Sequence, residues 1–316
     1  MLPLYYCDTL RVSDIPPTIT CDTTKKLDNK NTKYDSYMCT QVMDDNEFLE
    51  EWLDFHLDVI GFKNICVINV GQPIWPNLTS KFNIVWMNKT ARYQEFNLCR
   101  NCFEEIRPQD LLMVNDVDQY LNVRDSNYIY DNYDNYDGFY FADFKFGYKY
   151  EDTPDIVKHE LLKTNVYRGP HPWLGEFHSK KLEELFNCSE RGGWYSCGIA
   201  SGKSMVKYGL ATDFGVHYHK IPSRRISHVD FKNIRLKSTH KTLHVDFKKI
   251  RLNHYCVRTK QNGQEKAKKW NKVDDIQGII DMNKYFTMIY DDTIIESKRM
   301  SEVTEICSLV GGPYGD

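Results

Sequence analysis

The sequence predicts an α/β protein whose mostly parallel sheet is joined by crossover helices. Short apolar runs alternate with segments of helical periodicity in the first third of the chain, and one run leads directly into a pair of aspartates. With 316 residues, 41% of them hydrophobic, the chain is long enough for one large α/β domain or two small ones. Its formal net charge of −3 lacks the basic excess typical of nucleic-acid-binding domains, so we expect no nucleic-acid partner.

A change of hydrophobic period predicts the first strand and the first helix. Residues 36–43 have the composition of a strand. Asp44, with Glu47 three residues later, indicates a capping box at the start of a helix, and Gly61 is expected to end that helix. The helix face predicted to be buried consists of Phe48, Leu49, Trp52, Phe55, His56 and Val59.

The remaining elements follow in an order typical of crossover connections, in which consecutive strands lie parallel. In the first half we predict strands at 63–70, 81–87 and 110–114 and a helix at 92–106. In the second half we predict strands at 136–147, 203–208, 214–218 and 249–253, and helices from 261 onward and at 282–289.

A nine-residue sequence occurs twice. Residues 228–236 recur at 244–252 with one difference, and the simplest interpretation is a local duplication that forms two paired strands joined by a turn at 237–243. The residue that follows the second copy by two positions is His254, whereas the first copy has Ser238 there.

Two aspartates follow directly after the buried strand at 110–114. In a parallel sheet, the carboxyl ends of strands border the ligand crevice, so Asp116 and Asp118 are expected to face it. Carboxylates and diphosphate oxygens are the ligands preferred by Mg²⁺ and Mn²⁺. An Asp-x-Asp motif alone is common by chance and is then a solvated turn, so the strand before it is what favours a metal site.

Four segments resemble one enzyme family in the same order along the chain. Residues 43–62 (MDDNEFLEEWLDFHLDVIGF), 116–121 (DVDQYL), 202–207 (GKSMVK) and 252–255 (LNHY) are similar to motifs of glycosyltransferase family 92 and related family-2-like transferases. The resemblance implies a GT-A type fold: a Rossmann-like, mostly parallel sheet with crossover helices and an acceptor-side β/α elaboration. The sequence departs from the family pattern at 43–45, where Met-Asp-Asp replaces Lys-Asn-Glu, and at Gln119, which replaces Glu.

The same resemblance implies a function and a domain plan. The expected activity is a metal-dependent transfer of a hexose from a nucleotide-sugar, with UDP favoured, to a sugar hydroxyl of a glycan. Alternatives are a non-catalytic glycan-binding protein on this fold, or a nucleotidyltransferase. We expect an irregular lead-in at 1–33 and one domain at 34–316, and the parts of that domain are a nucleotide-binding half at 34–122, an acceptor half at 123–272 and a helical tail at 273–316.

The resemblance also implies the metal ligands. Asp116 and Asp118 are expected to bind Mn²⁺ or Mg²⁺ together with a histidine late in the chain. His254 is preferred because it ends a predicted strand; His217 is the alternative and His219 a weaker third choice.

The expected nucleotide-sugar contacts lie in or beside these motifs, whereas the candidates for the catalytic base follow the metal motif along the chain. His56, on the first helix, is expected to be structural. Three carboxylates are alternatives for the base that an inverting enzyme needs, and nothing in the sequence separates Asp143, Glu160 and Glu176. The expected nucleotide-sugar contacts are Asp45, Asn115, Asp116, Asp118 and Lys203.

The ten cysteines are scattered, and only Cys99 and Cys102 form a CxxC motif. Because no second CxxC completes a zinc site, we interpret the cysteines as mostly reduced thiols of a cytosol-like compartment. No signal sequence and no apolar run of membrane-spanning length are recognised, so a cytoplasmic location is expected. The oligomeric state stays open.

Overall fold

The chain folds as an α/β protein with a mixed, curled sheet. The structure is a computed structural model that describes residues 33–89, 96–148, 161–164, 167–169, 198–214, 219–221, 224–226, 242–255, 257–270, 283, 289–290 and 294. The predicted lead-in at 1–33, apart from its last residue, and the first copy of the repeat at 228–236 lie outside these residues. Only residues 283 and 289 of the helix predicted at 282–289 are described, and Ile289 lies in a short strand, so the prediction is wrong at that end.

Within the described residues, eleven strands form one sheet and three form another. The strands are β1 (Ser36–Val42), β2 (Asn64–Asn69), β3 (Val85–Asn88), β4 (Leu111–Val114), β5 (Gln119–Val123), β6 (Gly138–Gly147), β7 (Tyr167–Arg168), β8 (Gly198–Lys207), β9 (Asp213–Phe214), β10 (His219–Ile221), β11 (Arg224–Ile226), β12 (Thr242–His244), β13 (Ile250–His254) and β14 (Ile289–Tyr290). Strands β1 to β4 are all parallel, in the order β4-β1-β2-β3, and β8 joins β4 to β6 by antiparallel pairing. Strand β13 lies between β5 and β6, which curls the sheet.

Helices cover the sheet. The first helix changes to a π-helical turn over Phe55–Ile60 and ends at Gly61, whose φ of 86° is left-handed, as predicted. In the described part of the chain, no helix is both long and apolar enough to cross a bilayer. The helices are α1 (Asn46–Asp54), α2 (Pro76–Lys81), α3 (Tyr128–Asn132), α4 (Leu161–Thr164) and α5 (Lys260–Trp270).

Alternation along the parallel strands divides the core into two layers. Met38, Ile65 and Met113 point to the side covered by α1, which we call the α1 face. The intervening residues, such as Cys39 and Cys66, point to the opposite side, which we call the cysteine face. Both layers are almost fully buried, which explains why these strands are continuous apolar runs.

The predicted capping box is wrong. Helix α1 begins at Asn46, and no side chain caps it. Asp44 has a left-handed φ of 57°, and its carboxylate accepts a hydrogen bond from the backbone N–H of Gln72 at 2.5 Å. Asp44 therefore joins the loop after β1 to the loop after β2.

Two further predictions in the first half of the chain need correction. Residues 81–87 were expected as one strand, but α2 ends at Lys81 and β3 begins at Val85. In place of the helix predicted at 92–106, the structure has a 3₁₀ turn over Phe96–Asn101, while 92–95 lie outside the described residues. The apolar residues of this segment cover the cysteine face without needing a full helix.

The predicted pairing of the two copies of the repeat involves the first copy at 228–236, which lies outside the described residues. The second copy ends in strand β13, which pairs with β5 through Ile250–His254 and with β6 through residues 252–254. Both edges of β13 are therefore occupied by these two strands at residues 252–254.

Helix α1 is joined to β5 by two buried side chains. The indole Nε1 of Trp52 donates to the backbone oxygen of Gln119 at 2.9 Å. His56 Nδ1 lies 2.9 Å from the Trp52 oxygen, and His56 Nε2 accepts from the N–H of Leu121 at 3.4 Å. These partners require a neutral ring with the proton on Nδ1, which makes His56 structural, as expected.

Acid should destabilise the fold through His56. Burial lowers the pKa of His56 from 6.5 to about 3, although its bond to Trp52 opposes the shift. Between these values the unfolded chain binds more protons, so this contribution is complete above pH 6.5 and is lost as the pH falls towards 3. The slope is about 1.4 kcal/mol per pH unit, or about 2 kcal/mol between about pH 7 and about pH 5.

Denaturant unfolding of the wild type and of His56→Gln at these two pH values measures this loss. The glutamine does not titrate, so the variant should lose about 2 kcal/mol less than the wild type on acidification, whatever its stability at neutral pH. An equal loss in the two proteins would contradict the assignment.

Candidate functional site

The two aspartates lie where the sequence places them, immediately beyond the carboxyl end of β4. Strand β4 ends at Val114, and β5 begins at Gln119. The backbone N–H of Gln119 donates to the backbone oxygen of Asp116 at 3.0 Å and closes a tight turn between the strands. The side chain of Asp116 is 33% exposed, whereas that of Asp118 is 7% exposed, so the two carboxylates differ in environment.

The turn is bound from its far side by the segment after β13. The backbone N–H of Tyr255 donates to the backbone oxygen of Asp118 at 2.7 Å, and the Arg258 guanidinium donates to the backbone oxygen of Val117 at 3.0 Å. Arg258 also lies 3.3 Å from the carboxylate of Asp45 and stacks over the ring of Phe48 at 3.8 Å. One buried arginine thus connects the aspartate turn with the start of α1.

Asn115 holds the near side of the turn. Its backbone N–H donates to the Cys39 oxygen at 3.0 Å and its side-chain amide to the Gln119 oxygen at 2.9 Å. Asn115 is fully buried. The structure therefore shows it as a support of the turn, and its predicted contact with a nucleotide stays a prediction.

His254 links Asp118 to a third carboxylate. Its Nε2 lies 3.5 Å from Asp118 Oδ1, and its Nδ1 lies 2.8 Å from Asp143 Oδ2. Lys145 completes the cluster, with its Nζ 2.8 Å from Asp143 and 2.6 Å from His254 Nδ1. The strand register produces this meeting, because His254 pairs with Lys145 of β6 and with Gln119 of β5.

The charge of Asp143 is maintained by its neighbours. Burial alone would raise the pKa of this carboxyl, but His254 and Lys145 outweigh burial and hold the pKa well below its ordinary value. In the tautomer that carries its proton on Nδ1, His254 donates to the ionised Asp143, and its Nε2 keeps a lone pair on the side of Asp118. Carboxylate–histidine pairs of this kind orient histidine ligands in metal sites.

Lys203 supports the exposed aspartate. It is fully buried in β8, and its Nζ lies 2.7 Å from Asp116 Oδ2. Strand β8 runs antiparallel to β4, so the residues that precede its paired segment extend beyond the carboxyl end of β4. That geometry explains how a lysine distant in sequence reaches the aspartate turn.

The structure brings most of the predicted site residues into one region. Lys145 and Arg258 were not predicted; Lys145 has a weak signal, because it is on the same side of β6 as Asp143, and Arg258 has none. Predicted residues that lie outside the described part of the chain are Glu160, Glu176 and His217. For His219 the structure describes only the strand β10. The predicted residues of this region are Asp45, Asn115, Asp116, Asp118, Asp143, Lys203 and His254.

The donor set fits a divalent cation in its chemistry. Two carboxylates and one neutral imidazole suit Mn²⁺, and the carboxylates alone suit Mg²⁺. Asp118 and His254 are the two donors already close together, while Asp116 is shared with the ammonium of Lys203.

Comparison of the chain with models of known protein families and with curated proteins finds no match.

Gly202 allows Lys203 to approach the turn. A Cβ at Gly202 would lie 2.2 Å from the Phe141 backbone oxygen and 2.6 Å from the Tyr140 hydroxyl. The ladder between β6 and β8 is irregular between Phe141 and Asp143. The two strands are therefore closer here than a side chain permits.

Gly202→Ala should accordingly destabilise the protein by about 2–4 kcal/mol, because a backbone atom must move. Ser204→Ala, two residues along the same strand, is the control; it adds no atom and should cost about 1 kcal/mol. Urea unfolding of both variants measures the difference. Equal stabilities would show that the strands separate without cost.

Proposed function

We propose that the chain is a metal-dependent glycosyltransferase that moves a hexose from a nucleotide-sugar, with UDP as the favoured nucleotide, to a sugar hydroxyl of a glycan. The observation that carries the proposal is the approach of Asp118, just beyond the carboxyl end of β4, to His254 at the carboxyl end of β13, which Asp143 of β6 contacts from its other side. Ligand crevices of α/β sheets lie at this edge. The resemblance of four segments to family 92 transferases supports the same reading.

Asp116, Asp118 and His254 would hold the cation in this reaction. When bound, the cation neutralises the charge that develops on the leaving diphosphate. In the transfer, the bond between the anomeric carbon and the diphosphate oxygen breaks, and a bond to the acceptor oxygen forms. The acceptor hydroxyl loses its proton to a base or to the leaving diphosphate, depending on whether the enzyme inverts or retains configuration.

Asp143 acts in this proposal as a positioning residue. It is fully buried and already bound to His254 and Lys145, so a route from its oxygens to an acceptor hydroxyl would require the cluster to open. Its role is to hold the His254 ring with Nε2 towards Asp118. The base of an inverting reaction would then come from elsewhere, and Glu160 and Glu176 stay predictions.

Removal of a metal ligand should abolish metal-dependent binding of the nucleotide. Asp118→Asn and His254→Ala should each weaken UDP binding in the presence of Mn²⁺ at least about 100-fold, more than changes to residues that merely support a ligand. His217→Ala tests the alternative ligand. Asp125→Asn is the control, because this half-buried aspartate contacts Lys249 and the Asn127 backbone N–H and none of the proposed ligands in the described contacts.

Calorimetric titration with UDP, with and without Mn²⁺, gives these affinities. Normal UDP binding by both Asp118→Asn and His254→Ala would contradict the proposed metal site. A loss of UDP affinity confined to His217→Ala would assign the third ligand to His217 in place of His254. Transfer of hexose from UDP-hexoses to glycan acceptors, measured by mass spectrometry of the acceptors, tests the reaction. Preference for a nucleoside triphosphate would favour the nucleotidyltransferase, and glycan binding without turnover the non-catalytic protein.

Two variants of the buried cluster separate positioning from stability. Asp143→Asn should weaken Mn²⁺ binding about 10–100-fold, because the His254 ring loses its charged acceptor. Lys145→Met breaks the same ion pair but leaves the carboxylate with His254, so metal affinity should stay within a few-fold of the wild type.

Mn²⁺ titration at saturating UDP, together with thermal unfolding, measures both effects. Both variants should lose thermal stability, because each removes one partner of a buried ion pair. Equal metal affinities in the two variants would show that Asp143 does not position the histidine.

A further inference from the structure

A second group of potential ligands lies on the cysteine face, apart from the carboxylate site. Cys39 and Cys66 are directly opposite each other in the register of β1 and β2, so their side chains stand next to each other on the same face. The 3₁₀ turn over Phe96–Asn101 crosses this face and brings Cys99 and Cys102 to them. Cys39 is bonded to Cys99, and Cys66 to Cys102.

These disulfides correct the expectation of reduced thiols for these four cysteines. They also show why the missing second CxxC was misleading. The partner of the CxxC motif consists of two cysteines on neighbouring strands, 27 residues apart in sequence, which only the sheet register brings together.

Three of the four sulfurs lie close together across the two disulfides. The Sγ atoms of Cys39, Cys66 and Cys102 all lie within 4.8 Å of one another, although they belong to different disulfides. In a tetrahedral Zn–Cys₄ centre with Zn–S bonds of about 2.3 Å, the sulfurs are separated by about 3.8 Å. Reduction of the bond between Cys39 and Cys99 then frees the Cys99 sulfur to become the fourth ligand.

The surroundings of the cluster suit a structural metal. All four cysteines are buried, and they pack among apolar side chains such as Ile68, Val114 and Phe214. Zinc bound by four thiolates carries a net charge of −2, which needs compensation in such a layer. Arg100 lies between the two cysteines of the CxxC motif, its side chain donates to the Ala211 oxygen, and its buried Nε–H makes no hydrogen bond to the described residues.

We propose that Cys39, Cys66, Cys99 and Cys102, when reduced, bind one Zn²⁺ in a structural Zn–Cys₄ site. The zinc site does not depend on the proposed transferase activity, because none of its ligands belongs to the carboxylate site. The cysteines lie in the layer on the cysteine face, on the opposite side of the sheet from Met38 and Met113. Two isolated disulfides do not require a common meeting point, whereas a tetrahedral centre does. The disulfide-bonded form is the oxidised, metal-free state of the same four residues.

The interconversion balances with a phosphine as reductant. Each disulfide takes two electrons from one phosphine, which gains an oxygen atom from water and becomes a phosphine oxide, and two thiols form. The four thiols then release four protons as they bind one Zn²⁺. Metal uptake should therefore require the reductant and depend on pH.

The full-length protein, purified with a phosphine and Zn²⁺ and then freed of unbound metal, provides the test. We expect one zinc per chain by elemental mass spectrometry, and loss of it in Cys66→Ser and in Cys102→Ser. Cys307→Ser, which alters a cysteine outside the cluster, should keep its zinc. Replacement by Co²⁺ should give the intense visible bands of tetrahedral thiolate coordination.

The cobalt spectrum of the wild type decides the matter even if the serine variants fail to fold. A reduced, folded protein that takes up neither metal would overturn the proposal. The same holds if zinc uptake is unaffected in both cluster variants, or if the four cysteines stay oxidised after the phosphine treatment, as judged by thiol alkylation. In that last case the cluster is a pair of structural disulfides.

Discussion

The described site depends on one constraint: the aspartate turn has no regular structure of its own and must be held by hydrogen bonds from elsewhere. The oxygens of three consecutive turn residues accept from Gln119, Arg258 and Tyr255. Trp52 adds a bond from α1 to the start of β5. A turn held in this way keeps its carboxylates at fixed positions, so little reorganisation is needed when a ligand binds.

The two carboxylates of this turn have different charged partners. Asp116 forms an ion pair with the buried Lys203. Asp118 faces His254, whose other ring nitrogen contacts Asp143, and Asp143 in turn forms an ion pair with Lys145. The two aspartates lie in one turn, Asp143 and Lys145 lie on β6, His254 lies on β13 and Lys203 lies on β8, so the electrostatics of the site follow from strand order. A change in the register of β13 by one residue would turn His254 away from both carboxylates.

Local signals predicted those parts of the structure that depend on local interactions. The strand before the aspartates, the helix ending at Gly61 and the strand ending at His254 all match. The capping box failed because the carboxylate of Asp44 finds a partner in a distant loop, at Gln72. The contact between Lys203 and Asp116, the role of Arg258 and the meeting of the cysteines depend on long-range pairing, for which a single sequence carries no periodic signal.

The duplication gives the chain two nearly identical segments that differ in the residues that follow them. Lys237 and Ser238 follow the first copy, whereas Asn253 and His254 follow the second. Asn253 is fully buried between β5 and β6 and hydrogen-bonded to Arg251, so an unpaired lysine ammonium at this position would be strongly disfavoured. The residues just after the repeat therefore make the second copy, and not the first, compatible with this buried position, and one of them is the histidine of the site.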